Sequence, residues 1–491
     1  MGESHKRWRR GAVTLVGCSA MLLAACGDGG GSTPTPRPAT STPTPSTPTP
    51  TTPTPTACSL NARKDWVRSI ADEWYLFPEL MATRTSTTTS SSVKAYIDNL
   101  LEPARAARKD RGFTYITSIA EENAYYEDGA NVGYGFRLAT TWAGELVVTE
   151  VFEGSPAAAT SITRGAVFEA VGTSAANQTA IAPLLAAKDY DRLNAFFSPA
   201  DSGKTIVIRV RHRDGLMRQV SVTSDEFEID PVSDTIGTRI FTEGSRKIGY
   251  VALRSFITPA DADLVDAFAQ FKAEGVTELV VDLRYNGGGL LSTAEVFGDL
   301  LAGNLDGQVF QKLMLRDSKS AQNQTYNFAA RPQSITPTKI AFIGTGSTAS
   351  ASEMIINSMV PYLGDNMALI GENTYGKPVG QFAFDNAGCD DRLRLVAFRN
   401  ANANNQGEYY TGLASTLPRT CVAQDDVSRD LGDQNEAMIA KALDFLAGRS
   451  CTPIRTATAS TRSVAPAKPQ LEMLRDEVRG TTAQREMPGL F

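Results

Sequence analysis

The sequence has 491 residues, and its 48 Lys and Arg against 54 Asp and Glu give a net charge of −6 at neutral pH. An acidic chain of this kind is poorly suited to the phosphate backbone of nucleic acids, which argues against nucleic-acid binding. The length predicts two or three folded domains, and two histidines, His5 and His212, leave few ligands for a metal site.

Residues 1–25 have the pattern of an export signal. A basic stretch at residues 6–10 precedes a short apolar stretch, Ala12–Ala25, which is too short to span a membrane. It ends in Leu23-Ala24-Ala25-Cys26, which resembles the bacterial lipobox, whose cysteine thiol receives the lipid. Cleavage before Cys26 would lower the net charge from −6 to −9. We therefore expect a lipid-anchored protein of the bacterial cell envelope, at the periplasmic face of the outer membrane or at the cell surface. The alternative is an ordinary secretory signal in which Cys26 is incidental.

Residues 26–58 form the next segment, a predicted linker. Glycines dominate positions 27–31, and positions 32–56 are almost entirely Thr, Pro and Ser. Such a segment has too few apolar side chains to offset the entropy of ordering, and its prolines favour an extended spacer. A spacer after an anchored cysteine would hold the folded domains away from the membrane.

Residues 59–128 are predicted to form a helical domain. Trp66, Ile70 and Trp74 recur at helical spacing, and Val93–Leu101 repeats the pattern after a Thr/Ser run.

Residues 129–228 change to strands and glycine turns and resemble a PDZ domain of the bacterial type. Thr205–Val210 is a strongly β-branched strand, and Gly154–Ala158 is a turn at a suitable distance from the first strand. The resemblance implies that the loop Gly133, Tyr134, Gly135 and Phe136 holds the carboxylate of a peptide, which adds a strand to the sheet edge. A plain β-hairpin would also need these glycines.

Residues 229–450 alternate strands with helices, which predicts an α/β layered core. The polar tail, residues 451–491, is predicted to be disordered. The predicted strands are 248–253, 279–284, 339–343 and 367–370, and the predicted helices are 262–274, 290–301 and 351–363.

Four cysteines lie beyond the export signal and its lipobox: Cys58, Cys389, Cys421 and Cys451. In an exported protein they imply two disulfides, with three possible pairings. We expect Cys389–Cys421, which flank one excursion, and Cys58–Cys451, which bracket the folded region. A metal site is the alternative, but the spacings match no zinc pattern.

The stretch Gly346–Glu353 places three serines between a predicted strand and a predicted helix. At a helix N-terminus, free N–H groups and the helix dipole favour developing negative charge. Ser350 in this position could act as a nucleophile. The simpler interpretation is a helix cap made by Ser350 or Ser352.

Lys377 follows the last predicted strand, between Gly376 and Pro378. Packed against apolar groups, its amine would lose its proton more readily and could accept one from a serine. Histidine is the usual base, but none follows His212, so a Ser–His–Asp triad is nearly excluded in this domain. An isolated lysine in a loop has no such role.

Together three motifs resemble the C-terminal processing (tail-specific) peptidase family: Asp282–Gly289, Ser350–Glu353 and Tyr375–Gln381. The resemblance covers about residues 60–448. It implies an α/β (α+β multidomain) fold, with a crotonase/ClpP-like core of ββα units, an N-terminal helical segment and a PDZ-like β domain.

By motif matching, the resemblance implies Ser350 as the nucleophile, Lys377 as the base and Gln381 as the residue that orients the lysine. Lys377 follows Ser350 by 27 positions, two more than is common in that family. Ser352 would restore the shorter gap and is the alternative nucleophile, whereas the local Ser-Ala-Ser-Glu pattern favours Ser350.

The glycines after Asn286 suit an oxyanion hole, because glycine lets backbone N–H groups approach a carbonyl oxygen closely. The resemblance assigns Gly288, or Gly287 in its place, together with Ala351. Asp282 and Arg284 are expected to be structural supports.

The predicted function is a serine endopeptidase that cleaves exported or envelope proteins without a metal or an organic cofactor. Its partners would be protein or peptide substrates and the membrane that holds its lipid. The alternatives are an inactive peptide-binding lipoprotein of the same fold and a Ser–Lys amidase of small molecules.

Overall fold

A computed structural model describes residues 57–83, 89–199, 201–456, 471–475 and 480–491. The predicted export signal, Cys26 and nearly all of the predicted linker lie outside the described residues. The helices are α1 Leu60–Trp74, α2 Val93–Leu100, α3 Glu102–Ala106, α4 Ile119–Asp128, α5 Ile181–Ala186, α6 Tyr190–Phe197, α7 Ala260–Ala273, α8 Leu291–Leu300, α9 Ala351–Leu363, α10 Ala437–Leu446 and α11 Thr482–Glu486.

The strands form several sheets. They are β1 Tyr115–Ser118, β2 Ala130–Gly133, β3 Phe136–Thr141, β4 Leu146–Val151, β5 Val167–Ser174, β6 Asn177–Ala180, β7 Thr205–Arg211, β8 Met217–Thr223, β9 Asp225–Glu228, β10 Thr238–Glu243, β11 Arg246–Ala252, β12 Glu278–Asp282, β13 Val309–Leu315, β14 Gln324–Asn327, β15 Lys339–Gly344, β16 Met367–Gly371, β17 Val379–Asn386, β18 Asp391–Ala401, β19 Thr420–Val422 and β20 Leu471–Met473. This mixed α/β architecture confirms the predicted fold class.

A six-stranded sheet forms the centre of the 229–450 region, in the order β10-β11-β12-β15-β16-β19, and it is parallel from β11 onward. Its strands are apolar on both faces, as expected of a sheet covered on both sides. Leu279 and Val281 face α7, α8 and α9, whereas Val280 faces α10. Since β12 and β15 are parallel neighbours, the loops that follow them meet at one edge of the sheet.

A seven-stranded sheet occupies the region predicted to be PDZ-like, in the order β20-β3-β4-β5-β7-β8, with β6 paired to β5. Its core includes Phe136, Phe168 and Phe197, and α5 and α6 cover it. The edge strand β3 pairs with β20, which comes from the far end of the chain.

The N-terminal helices α1 and α2 pack on a five-stranded sheet, β1-β18-β13-β14, to which β17 is added through β18. The segment was predicted to be helical, but Tyr115–Ser118 is strand β1, paired antiparallel to β18. Aromatic and β-branched residues in Tyr115-Ile116-Thr117 favour a strand once a partner edge is present.

The predicted disulfide pairing is wrong. The structure joins Cys58 to Cys389 and Cys421 to Cys451, with Cα–Cα distances of 5.5 and 5.4 Å. Cys58 lies just before α1, which packs against the sheet that contains β17 and β18, and Cys389 lies in the turn between these two strands.

The predicted disorder of the tail is also corrected for its described residues. β20 and α11 form there, and every residue from 486 to 491 is buried. The tail was predicted to be disordered because its composition is mostly polar. It also contains a few apolar residues, among them Met487, Leu490 and Phe491, that pack in hydrophobic clusters. Among the described residues, each helix is too short or too polar to span a lipid bilayer.

Candidate active site

The loops after β12 and β15 meet as the parallel register requires. The Thr348 hydroxyl donates to the Leu283 carbonyl at 2.8 Å, and the Ala349 N–H donates to the Asn286 carbonyl at 3.1 Å. These bonds bring the Asp282–Gly289 motif and the serine-rich loop into one site.

Ser350 stands at the N-terminus of α9, and Ala351 is the first residue of that helix. Its backbone has φ +55°, a conformation that non-glycine residues rarely adopt and that costs about 1–3 kcal/mol. The residue is half-buried. Strain of this kind at a strand-to-helix turn is typical of functional sites, since the turn holds a side chain out toward a cleft.

Ser352 has different surroundings. It is fully buried, and its hydroxyl donates to the Asn286 carbonyl at 3.1 Å. That hydroxyl helps to hold the two loops together.

The two candidate oxyanion glycines, Gly287 and Gly288, have different neighbours and different hydrogen-bond partners. A Cβ atom at Gly288 would lie 2.7 Å from Ser350 Cβ and 3.1 Å from the Ala351 nitrogen, which places Gly288 beside the serine. The Gly288 N–H donates to Asn286 Oδ1 at 2.9 Å. The Gly287 N–H donates to the main-chain oxygen of Glu486 at 2.9 Å.

Glu353 ties the serine loop to the lysine loop. Its buried carboxylate accepts the N–H groups of Ser350 at 3.1 Å, Gly376 at 2.7 Å and Lys377 at 2.7 Å. Burial raises the pKa of Glu353, and these hydrogen bonds oppose the rise. Glu353 was not predicted to have a role in the site. A serine followed three residues later by a glutamate is, however, the pattern of a capping box at a helix N-terminus.

Lys377 precedes β17 and is only 8% exposed. Burial lowers its pKa, and the charges of Glu486 and Asp110 oppose that shift. Its Nζ lies 5.3 Å from the ring centre of Phe113. A lysine in such surroundings loses its proton at lower pH than an exposed one.

Gln381 lines the same cleft as Lys377, a space of about 510 Å³ that Gly287, Ala349 and Phe113 also border. The Gln381 amide Nε2 donates to the Phe113 carbonyl at 2.6 Å. This bond fixes the amide group at the wall of the cleft.

Arg111 and Phe113 reach this cleft from the N-terminal region. The Arg111 guanidinium donates to the Tyr375 carbonyl at 3.0 Å and also bonds the Gly376 carbonyl. Burial lowers the Arg111 pKa. Neither Arg111 nor Phe113 was predicted to belong to the site. No local sequence pattern identifies them, because they approach the lysine loop only in the folded chain.

The Asp282–Gly289 motif rests on a buried charge network. Arg284 pairs with Asp282 at 2.9 Å, Glu436 at 2.8 Å and Asp425 at 3.2 Å. Arg164, from the seven-stranded region, also pairs with Asp425, at 2.6 Å. These contacts agree with the supporting role expected of Asp282 and Arg284.

The 133–136 loop, predicted to hold a peptide carboxylate, contacts Phe491, the last residue of the sequence. The Gly135 and Phe136 N–H groups donate to the Phe491 main-chain oxygen at 2.7 and 3.2 Å, and the Phe491 N–H donates to the Phe136 carbonyl at 3.0 Å. A Cβ atom at Gly133 would lie 3.0 Å from the Phe491 carbonyl carbon. Tyr134 is buried beneath the loop and stacks on Phe136.

Across the described parts of the chain, His, Cys, Asp and Glu side chains form no cluster of three or more that could hold a metal ion. The groups gathered here are instead a hydroxyl, an amine of lowered pKa and backbone N–H donors.

Comparison with known proteins places these elements in a family. Residues 247–411, which include Gly288, Ser350, Lys377 and Gln381, match the family model for peptidase family S41. The chain is 28% identical over 186 residues to the carboxyl-terminal-processing protease of a Picosynechococcus species, covering 37% of this chain and 41% of that protein.

It is 26% identical over 326 residues to the chloroplastic C-terminal processing peptidase of Tetradesmus obliquus, covering 64% of each chain. The matched region thus spans between two fifths and about two thirds of these relatives' length. A Bacteroides fragilis protein described as an S41 protease shares the fold, with a TM-score of 0.60 and 23% identity over 78% of this chain and 97% of that one. The chain therefore contains a peptidase family S41 domain and is related to the carboxyl-terminal processing peptidases.

Proposed function

We propose that this chain is a serine endopeptidase in which Ser350 is the nucleophile and Lys377 the general base. One observation carries the proposal: the buried Glu353 carboxylate accepts the main-chain N–H groups of both Ser350 and Lys377, and the Lys377 side chain is desolvated. The S41 family match and the names of the relatives support peptide-bond hydrolysis.

In the proposed reaction Ser350 is the nucleophile, and Lys377 acts first as a base and then as an acid. Neutral Lys377 takes the proton of the Ser350 hydroxyl while Oγ bonds to a peptide carbonyl carbon. Collapse of the tetrahedral intermediate breaks the C–N bond, and the lysine gives its proton to the leaving amine. In the second half of the reaction Lys377 takes a proton from water while the water oxygen bonds to the acyl carbon. The ester bond to Ser350 then breaks, and the lysine returns the proton to Ser350 Oγ, which restores the starting state.

Ser350 fits the nucleophile role better than Ser352. The Ser352 hydroxyl is fully buried and donates to the Asn286 carbonyl, so it is held away from a substrate. Ser350 is partly accessible and stands on a strained turn at the helix N-terminus.

The oxyanion would be held by backbone N–H groups of the glycine loop and of Ala351. Gly288 lies beside Ser350, which supports its assignment, but its N–H donates to Asn286 Oδ1 and would have to leave that partner. The Gly287 N–H already donates to a peptide carbonyl oxygen, so it is also a candidate donor. Gln381 borders the cleft and would orient the lysine.

The 133–136 loop would hold the end of a substrate as part of a PDZ-like domain. Its N–H groups point at a main-chain oxygen, as a peptide carboxylate site requires. We further propose that the substrates are exported or envelope proteins, which is supported by the export-signal pattern predicted for residues 1–25 and by the lipobox-like context of Cys26.

A fluorophosphonate probe, which labels activated serines, tests the proposal. We expect labelling of the native chain, no labelling of Ser350→Ala and strongly reduced labelling of Lys377→Ala. Ser352→Ala is the matched control, and it should retain most of the labelling. Equal labelling of the native chain and Ser350→Ala would refute the assignment, and casein cleavage would separate a peptidase from an amidase or an inactive binding protein.

A further inference from the structure

Residues 480–491, the closing segment hereafter, lie across the site that a substrate should use. The segment begins with α11 and continues to Phe491. It contacts three parts of the molecule that sequence analysis treated as separate: the N-terminal region, the seven-stranded region and the glycine loop beside Ser350.

At its end the segment pairs with the sheet edge as an added strand would. Arg137 pairs antiparallel with Leu490, and the Leu138 N–H donates to the Gly489 carbonyl at 2.8 Å. Phe491 is 2% exposed and packs in the apolar core of the seven-stranded region, 6.1 Å from the Phe197 ring. Its main-chain oxygen takes the N–H groups of the 133–136 loop. This is how a peptide ligand adds to an open sheet edge.

At its middle the segment reaches the catalytic centre. The Glu486 main-chain oxygen accepts the Gly287 N–H, which is a candidate oxyanion donor. The Glu486 side chain is buried in the same cleft as Lys377, and its charge opposes the fall in the lysine pKa. Both contacts act against catalysis, because one occupies a donor and the other favours the charged amine.

Internal contacts fix the segment in place. The Thr482 N–H donates to the Glu121 carboxylate at 2.8 Å, and Arg137 donates to the Pro488 carbonyl at 2.8 Å. Ala483, Met487 and Leu490 are buried together with Tyr125 and Phe152.

We propose that the closing segment is an intrachain ligand that covers the peptide groove and the active site, so that a substrate must displace it. This proposal rests on the proposed function, since it assumes that the groove and the serine serve the same substrate. If the segment fills the groove in most molecules, the apparent affinity for an added peptide equals the intrinsic affinity multiplied by the fraction of molecules with a vacant groove.

Peptide binding tests the proposal without relying on catalysis. The probe is a fluorescent peptide with the sequence of residues 485–491 and a free carboxylate, and the host is the Ser350→Ala chain. Adding Phe491→Ala empties the apolar pocket, so the labelled peptide should bind at least roughly tenfold more tightly. Glu472→Ala is the matched control, because Glu472 is an exposed residue of the same tail, and it should leave binding unchanged.

Equal affinity in all three chains would overturn the proposal. Replacing a buried residue such as Phe491 can also disturb the fold. Hydrogen exchange on the Ser350→Ala chain, which keeps Phe491, therefore provides a second measurement. A saturating amount of the peptide should remove protection from the amides of Met487 and of residues 489–491 and leave β12 protected. Unchanged protection of Met487 and of residues 489–491 would likewise overturn the proposal.

Activity separates this inference from the proposed function. In a chain with Ser350 intact, Phe491→Ala should raise kcat/KM by about the factor by which peptide binding tightens. If the native chain and Phe491→Ala are both inactive while the binding difference appears, the proposed function fails and the intrachain ligand stands. If the chain is active and Phe491→Ala changes neither binding nor rate, the intrachain ligand fails and the peptidase stands.

Discussion

The Glu353 carboxylate accepts the Lys377 N–H at 2.7 Å, although Glu353 belongs to the first turn of α9 and Lys377 to the loop before β17. The same carboxylate accepts the Ser350 N–H. One buried side chain therefore sets the relative position of the two loops that carry the proposed nucleophile and base.

Replacement of Glu353 by glutamine tests this positioning role. The amide keeps the shape of the side chain but has one acceptor oxygen where the carboxylate has two, so at least one of three N–H groups loses its partner. We expect a loss of about 1–3 kcal/mol in the free energy of unfolding, measured in urea. The value of kcat should fall while KM changes less, because the reacting groups and not the peptide groove are displaced.

An exposed glutamate of comparable size, Glu472, serves as the control. Glu472→Gln should change neither the urea midpoint nor kcat. Wild-type values for Glu353→Gln would show that the two loops keep their geometry without this carboxylate.

The pH dependence of the rate should report Lys377. Only the neutral amine can accept the Ser350 proton, and burial lowers the pKa of the lysine. We therefore expect kcat/KM to rise with pH and to level off below the ordinary lysine pKa of about 10.4. Lys377→Arg should be inactive at every pH, because arginine keeps its proton throughout. Full activity of that variant would exclude a base at position 377.

The same burial predicts an effect on stability. The folded chain loses the Lys377 proton at the lowered pKa, whereas the unfolded chain keeps it up to the ordinary lysine pKa. Between these two pKa values the unfolded state binds more protons, so native stability should increase as the pH rises through this range. Lys377→Met should remove this dependence and stabilise the fold by roughly 1–2 kcal/mol at neutral pH, at the expense of activity. Urea titrations at several pH values would measure both effects.

Gly288→Ala should abolish the proposed peptidase activity. The residue has φ +119°, and the added Cβ would lie 2.7 Å from Ser350 Cβ, so the serine or the glycine loop must move. Displacing a catalytic group by about 1 Å can cost on the order of a hundredfold in rate. Gly144 also has positive φ but has open space around it, so Gly144→Ala should cost some stability and leave kcat unchanged. Native-like kcat for Gly288→Ala would contradict the close approach.

The disulfide pairing can be checked by mass spectrometry of peptides from a non-reducing digest. We expect linked peptides that join Cys58 to Cys389 and Cys421 to Cys451. Cys58→Ala with Cys389→Ala should lower the free energy of unfolding by about 2–5 kcal/mol, because the bond closes a very long loop. Peptides linking Cys389 to Cys421 would contradict the structure.

Elements whose signals are local could be predicted without the structure. The strands predicted at 279–284 and 339–343 lie close to β12 and β15, and the helix predicted at 262–274 lies close to α7. The motifs around Ser350, Lys377 and Gly288 could also be recognised, because each is a short stretch whose residue types and spacing carry the signal.

Features that depend on contacts between distant parts of the chain could not be predicted in this way. A lone strand such as Tyr115–Ser118 forms because β18 offers an edge, and Cys58 meets Cys389 because a helix packs against a sheet. The polar composition of the tail hid Phe491, since burial of a few apolar side chains depends on a groove built elsewhere in the chain. The approach of Glu486 to the cleft of Lys377 has the same origin. The order of charged residues along a sequence does not show which of them folding brings together in a buried site.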